Sequence, residues 1–139
     1  CELLLPIDVV VAKKVAPGVD AETRDLADVQ ADDLILDAGP KSAQRLIEAM
    51  DSSQTLIWNG PLGVFEVPPF DEATVSAAKH AAKLAKSGKI VAVAGGGDTV
   101  AALNHAGVSG DFTFVSTAGG AFLEWMEGKT LPGVAALEV

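Results

Sequence analysis

Asp98 follows three glycines, Gly95 to Gly97, and precedes Thr99 within the stretch IVAVAGGGDTVAAL, Ile90 to Leu103. Glycines let the main chain approach a bulky anion, and the N–H groups and partial positive charge of a helix N-terminus can hold it. A carboxylate beside an anion is repelled unless a divalent cation lies between them. Gly95, Gly96, Gly97, Asp98 and Thr99 therefore suit a metal-bound phosphate better than a bare one. The same letters also describe a tight strand-to-helix turn with Asp as helix cap.

STAGGA, Ser116 to Ala121, repeats this logic with two hydroxyls, from Ser116 and Thr117, and exposed backbone at Gly119 and Gly120. Two anion sites together point to a polyphosphate. The loop WNGPLGVFE offers different groups: Asn59 can donate to phosphate oxygens, Glu66 can accept from ribose hydroxyls, and Pro61, Leu62 and Val64 can wall a base. Each also has a plain structural reading, with Trp58 in the core, Asn59 and Gly60 in a turn, and Glu66 a surface acid. No Walker lysine follows the glycines, and no G-x-G-x-x-G precedes a ribose-binding acid. His80 and His105 lack the spaced partners of a triad or zinc site and read as surface or packing residues.

These loops need elements to hold them. Val9 to Ala12, Leu34 to Leu36, Thr55 to Trp58, Ile90 to Ala94 and Phe112 to Val115 read as apolar strands. Helices are expected from Pro40, with Ala43, Leu46, Ile47 and Met50 on one face, and from near Asp71 to Gly88, with Ala77, Ala78, Ala81, Leu84 and Ala85 on one face. Shorter helices follow over Val100 to Ala106 and Ala121 to Glu127. Lys13 to Val29 reads as a connection with little regular structure. Near-continuous apolar strands alternating with helices predict one mostly parallel sheet covered on both faces, with ligands beyond the strand carboxyl ends. LDAGP, WNGPLGVFE, GGGDT and STAGGA would then share one edge.

At 139 residues and 49% hydrophobic, the chain suffices for one domain with a real core. A net charge of -9 argues against nucleic acid or anionic membrane as main partner, so a bound phosphate must be held locally. The acids between Asp20 and Asp37 are interspersed with Leu and Val and read as a solvated helix or loop face rather than a metal cage. One cysteine, Cys1, excludes an internal disulfide framework and fits a reducing, cytoplasmic compartment. LLLPIDVVVA, with Pro6 and Asp8, is too short for a membrane span. The opening on Cys1, close to an apolar strand, leads to the expectation that upstream residues are missing.

The order LLLPIDVVVA, LDAGP, WNGPLGVFE, AGGGDT, STAGGAFLE and EGKTLPGV, from about Leu3 to Leu137, resembles the C-terminal portion of phosphoglycerate kinase. The resemblance implies a Rossmann-like three-layer α/β domain: residues 1–139 would be a partial nucleotide-binding domain, with the N-terminal phosphoglycerate-binding domain absent. It implies phosphoryl transfer between 1,3-bisphosphoglycerate and Mg-ADP, giving 3-phosphoglycerate and Mg-ATP, in a family that is usually monomeric. By motif match, Asp98 would bind the magnesium nucleotide, and Gly96, Gly97, Thr99 and Asn59 would contact its phosphates. Glu66 would hold the ribose, Leu36, Pro61 and Val64 would flank the adenine, and Gly119 and Gly120 would point N–H groups at the group in flight.

Two departures stand out. Ala118 occupies a position where the family often has glycine; a positive φ there would cost roughly 1 kcal/mol or more, whereas a negative φ is tolerable. The two arginines, Arg24 and Arg45, lie away from the special loops, so no basic cluster for the triose acid is evident. The expectation is a kinase fragment that supplies the nucleotide side and is inactive alone. The other readings are a stand-alone nucleotide-binding or interaction module and a remnant without ligand.

Overall fold

The computed structural model describes residues 1–137. Its elements are β1 (Asp8–Ala12), β2 (Glu22–Asp25), β3 (Leu34–Ala38), α1 (Pro40–Ser52), β4 (Thr55–Trp58), α2 (Glu72–Lys86), β5 (Val91–Gly95), α3 (Gly97–His105), β6 (Phe114–Ser116), α4 (Gly119–Met126) and α5 (Pro132–Ala135). The expected helices and apolar strands form close to their expected places. α3 starts at Gly97 rather than Val100, so its first turn contains Asp98 and Thr99.

The strands build two sheets instead of the single one expected. β4, β5 and β6 pair in parallel in that order, whereas β1 pairs antiparallel with both β2 and β3. β2 falls in the segment expected to lack regular structure. Its sequence, ETRD, has no apolar alternation because as a largely exposed edge strand it contributes main-chain pairing and charges. Arg24 on it pairs with Glu22 at 2.8 Å and with Asp33 at 2.8 Å, and Lys13 also reaches Asp33 at 2.8 Å. Asp20, Glu22, Asp25, Asp28 and Asp32 are exposed, as a solvated face requires, whereas the Asp33 side chain is only 1% exposed. The Lys13 ammonium, the Gln30 N–H and Arg24 hold its carboxyl below the ordinary value, against a smaller opposing effect of burial.

The main core lies on one face of the parallel sheet. Trp58, Ala92 and Ala94 face the α2 alanines Ala77, Ala78 and Ala81, with Leu103 of α3 and Phe112 closing the end. The small α2 side chains let the helix sit close on the sheet, as their spacing predicted. Trp58 and Phe112 meet edge to face with ring centroids 6.3 Å apart. On the other face, α4 packs at the end of β5, where a Cβ on Gly95 would touch Gly119 and Phe122. Helices thus lie on both faces, but among the described residues the second is covered only at that end. Ile57, Val93 and Phe114 form a row across the three strands there, with Phe114 59% exposed.

α1 begins where Gly39 and Pro40 were expected to start it, and its end is capped from a distance. The buried Asp8 carboxylate accepts the Lys41 N–H at 3.0 Å and the Ser42 N–H at 2.7 Å, and the Ser42 hydroxyl lies 2.7 Å from its Oδ1. A Cβ on Gly39 would overlap this carboxylate, so glycine there permits the approach. Burial pushes the Asp8 carboxyl up, but the Ser42 hydroxyl and the two N–H groups outweigh it and lower the pKa.

Candidate functional site

Because β4, β5 and β6 run parallel, the segments after Trp58, Gly95 and Ser116 leave the same edge of the sheet. Two of these turns are in main-chain contact. The Gly96 N–H donates to the Ser116 carbonyl at 3.0 Å, and a Cβ on Gly119 would stand 2.6 Å from the Gly96 nitrogen and 2.9 Å from the Gly95 carbonyl carbon. Gly96 has φ of 103°, a left-handed conformation that side chains oppose, and it turns the chain from β5 straight into α3. Sequence alone placed glycines in both turns; the fold puts them against each other.

The β4 turn joins the same cluster. Thr99, 1% exposed, accepts the Gly60 N–H on its hydroxyl at 2.7 Å, and a Cβ on Gly96 would lie 3.5 Å from both Asn59 Oδ1 and Thr99 Oγ1. Trp58 Nε1 donates to the Gly60 carbonyl at 2.5 Å. The Thr99 side chain therefore braces this turn from beneath, whereas Asn59, Gly97 and Asp98 are exposed. Asp98 lies in the first turn of α3, and Gly119 and Gly120 open α4, so two helix N-termini face the cluster. Ala118 has φ of -90°, the tolerable case, and the Ser116 hydroxyl accepts its N–H at 3.1 Å.

LDAGP is the exception to the shared edge, since it ends β3 of the separate antiparallel sheet. It is joined to the rest by the loop after β4, because the Val64 N–H donates to the Leu36 carbonyl at 2.8 Å. Leu36 and Val64, with Leu62, Gly63 and Asp37, line a cavity of about 200 Å³. One loop thus touches the glycine turns at Asn59 and β3 at Val64. Pro61 is partly buried outside this cavity lining, and Glu66 is exposed.

Thr74 and Asp37, which sequence reasoning did not single out, support this loop, as does His105, read from sequence as a surface or packing residue. The Thr74 hydroxyl accepts the Leu62 N–H at 3.0 Å. His105 lies 2.7 Å from Asp71 and edge-on to Phe65. Asp37 is 2% exposed and accepts the N–H groups of Ala38 at 2.9 Å and Ala73 at 3.0 Å. Burial, opposed by those two N–H groups and reinforced by Asp71 and Glu72, pushes its carboxyl up to about 6. An acid closing an apolar run just before a glycine-proline segment was the available signal, but LDAGP reads equally as a strand end.

Chemically, the arrangement is an α/β fold with stacked glycine turns and helix N-termini at the carboxyl edge of a parallel sheet, the class suited to phosphate ligands. A family model described as phosphoglycerate kinase matches residues 1–129. The chain belongs to the phosphoglycerate kinase family. It is 88% identical over 138 residues to the phosphoglycerate kinase of Caulobacter vibrioides strain NA1000, covering 99% of this chain and 35% of that protein. For that of Maricaulis maris the identity is 64% over 137 residues, 99% of this chain and 34% of the relative. The solved phosphoglycerate kinase of Coxiella burnetii superposes with a TM-score of 0.85 at 38% identity, over 94% of this chain and 33% of that one. The chain therefore spans about a third of the length of the relatives it matches.

Proposed function

We propose that residues 1–139 form part of the nucleotide-binding domain of a cytoplasmic phosphoglycerate kinase, whose phosphoglycerate-binding domain lies outside this chain. The reaction is reversible phosphoryl transfer between the acyl phosphate of 1,3-bisphosphoglycerate and Mg-ADP, giving 3-phosphoglycerate and Mg-ATP in glycolysis. The supporting observation is the contact between Gly119 and the Gly95–Gly96 main chain, which brings two glycine-rich helix starts to one spot beside Asn59. Phosphoryl transfer asks mainly for positioning and charge stabilisation, which main-chain N–H groups supply. The net charge of -9 disfavours nucleic acid or an anionic membrane as partner, so the phosphates must be held by local groups, and no described helix is long and apolar enough to cross a membrane.

In this reading Gly96, Gly97 and Asn59 hold the nucleotide phosphates, with Thr99 bracing the turn. Gly119 and Gly120 direct N–H groups at the transferring group. Leu36, Pro61 and Val64 flank the adenine, and Glu66 accepts from the ribose. Magnesium fits a donor set of one exposed carboxylate beside the glycine turns, because this ion is commonly held by one or two carboxylates plus substrate phosphates. Asp98, exposed in the first turn of α3, is that carboxylate. Bound there, the ion would neutralise phosphate charge.

The test is calorimetry of this chain with Mg-ADP. Asp98→Ala should weaken binding at least about tenfold while shifting stability by less than about 0.5 kcal/mol, because the side chain is exposed. Unchanged affinity would remove the metal role. No turnover is expected from this chain in a coupled assay, since closure over both substrates excludes water and aligns the reacting atoms. Normal ATP synthesis by it would overturn that expectation.

A further inference from the structure

Asp37 is a buried carboxylate to which the nucleotide reading gives no part. It sits at a junction of three segments. Its Oδ1 accepts the N–H of Ala38 at the end of β3, and its Oδ2 accepts that of Ala73 in the first turn of α2. Asp71, which precedes α2, makes no capping bond of its own and turns to His105 instead. The third segment is the loop after β4, where a Cβ on Gly63 would overlap the Asp37 carboxylate and stand 2.6 Å from the Phe70 carbonyl oxygen. The next residue, Val64, bonds to the Leu36 carbonyl. Both bonded atoms thus flank the carboxylate along their own chains.

We propose that Asp37 is the positioning residue for the base side of the nucleotide site: it fixes the spacing between β3 and the loop, and so the Leu36–Val64 wall, without touching the ligand. This rests on the nucleotide reading above. The phosphate side needs no such support, because the glycine turns are tied together by the Gly96–Ser116 and Gly60–Thr99 bonds. The charged groups around Asp37 are Asp71, just before α2, and Glu72 in its first turn, both of which oppose its ionisation. His105 of α3 reaches it only through Asp71, while β3 and the loop present main chain.

Asp37→Asn keeps the volume but replaces one carboxylate oxygen by an NH2 group, so with the side chain in place one of the two N–H donors faces another donor. In this chain the variant should bind adenosine and Mg-ADP about tenfold more weakly and Mg-pyrophosphate equally well; exchange of the Val64 amide should quicken about tenfold and that of Gly96 stay unchanged. Unchanged adenosine affinity and Val64 exchange in the folded variant would overturn the proposal, as would an equal loss for Mg-pyrophosphate. A wild-type chain that binds neither adenosine nor Mg-ADP would defeat the nucleotide reading, and Val64 exchange would still decide whether Asp37 places the loop. Should the variant not fold, the wild-type Val64 and Ala73 amide resonances decide it: both should shift together as Asp37 titrates at about 6, and a stationary Val64 resonance would refute the coupling.

Discussion

Gly119 stands against Gly96 so closely that a Cβ on it would lie 2.6 Å from the Gly96 nitrogen and 2.7 Å from its Cα. Backbone on both sides leaves nothing flexible to give way. Gly119→Ala should therefore cost about 2 kcal/mol or more and separate the two turns, while Gly120→Ala, with open space around it in a helix, should be neutral or gain up to about 1 kcal/mol. Urea unfolding of the two variants checks the contrast. Equal midpoints would mean that the turns are not in contact in solution.

Thr99 tests the other side of the same cluster. Its buried hydroxyl is the acceptor for the Gly60 N–H, so Thr99→Val should cost about 1–3 kcal/mol, and Thr99→Ser, which keeps the oxygen, distinctly less. Thermal melts of both would settle it. A Val variant as stable as the wild type would mean that the bond to Gly60 contributes nothing to stability.

Two buried acids give opposite pH slopes. Asp37 is raised from 3.8 to about 6, so the folded state binds the extra proton between those values and stability falls as pH rises through them, by up to about 3 kcal/mol, then levels above 6. Asp8 is lowered, so its contribution is present above 3.8 and is lost as pH falls through its depressed folded value. Comparison of wild type with Asp37→Asn by urea titration from pH 3.5 to 7 should show the first slope in the difference curve. A flat difference would contradict the burial of Asp37.

The open face of the parallel sheet makes the chain prone to association. Ile57, Val93 and Phe114 align across β4, β5 and β6, and β4 carries an unpaired outer edge among the described residues. Sedimentation should reveal concentration-dependent self-association and dye binding to apolar surface. Replacing Ile57 and Phe114 by Thr should reduce both while leaving the helical signal intact. A wild-type chain that stays monomeric at high concentration would argue against this.

What was legible in the sequence was local. The α2 alanines gave their helix face by spacing, Gly39 and Pro40 marked the start of α1, and the glycines at 95–97 and 119–120 marked turns needing bare backbone. The family resemblance rested on the same short strings. Such signals survive in sequence because period and turn chemistry act within a few residues.

Tertiary structure decided what depends on distant partners. Asp8 caps a helix 34 residues on, and Asp37 caps one 36 residues on, so neither could be told from a strand-end acid by its neighbours. ETRD became a strand only because β1 offered an edge to pair with, and the apolar β1 run joined an antiparallel sheet because its partners are β2 and β3. The glycine turns met because parallel pairing of β4, β5 and β6 sends their following segments off one edge. Pairing and capping of this kind satisfy main-chain groups with whatever the fold brings within reach, and that choice is made by packing rather than by local sequence.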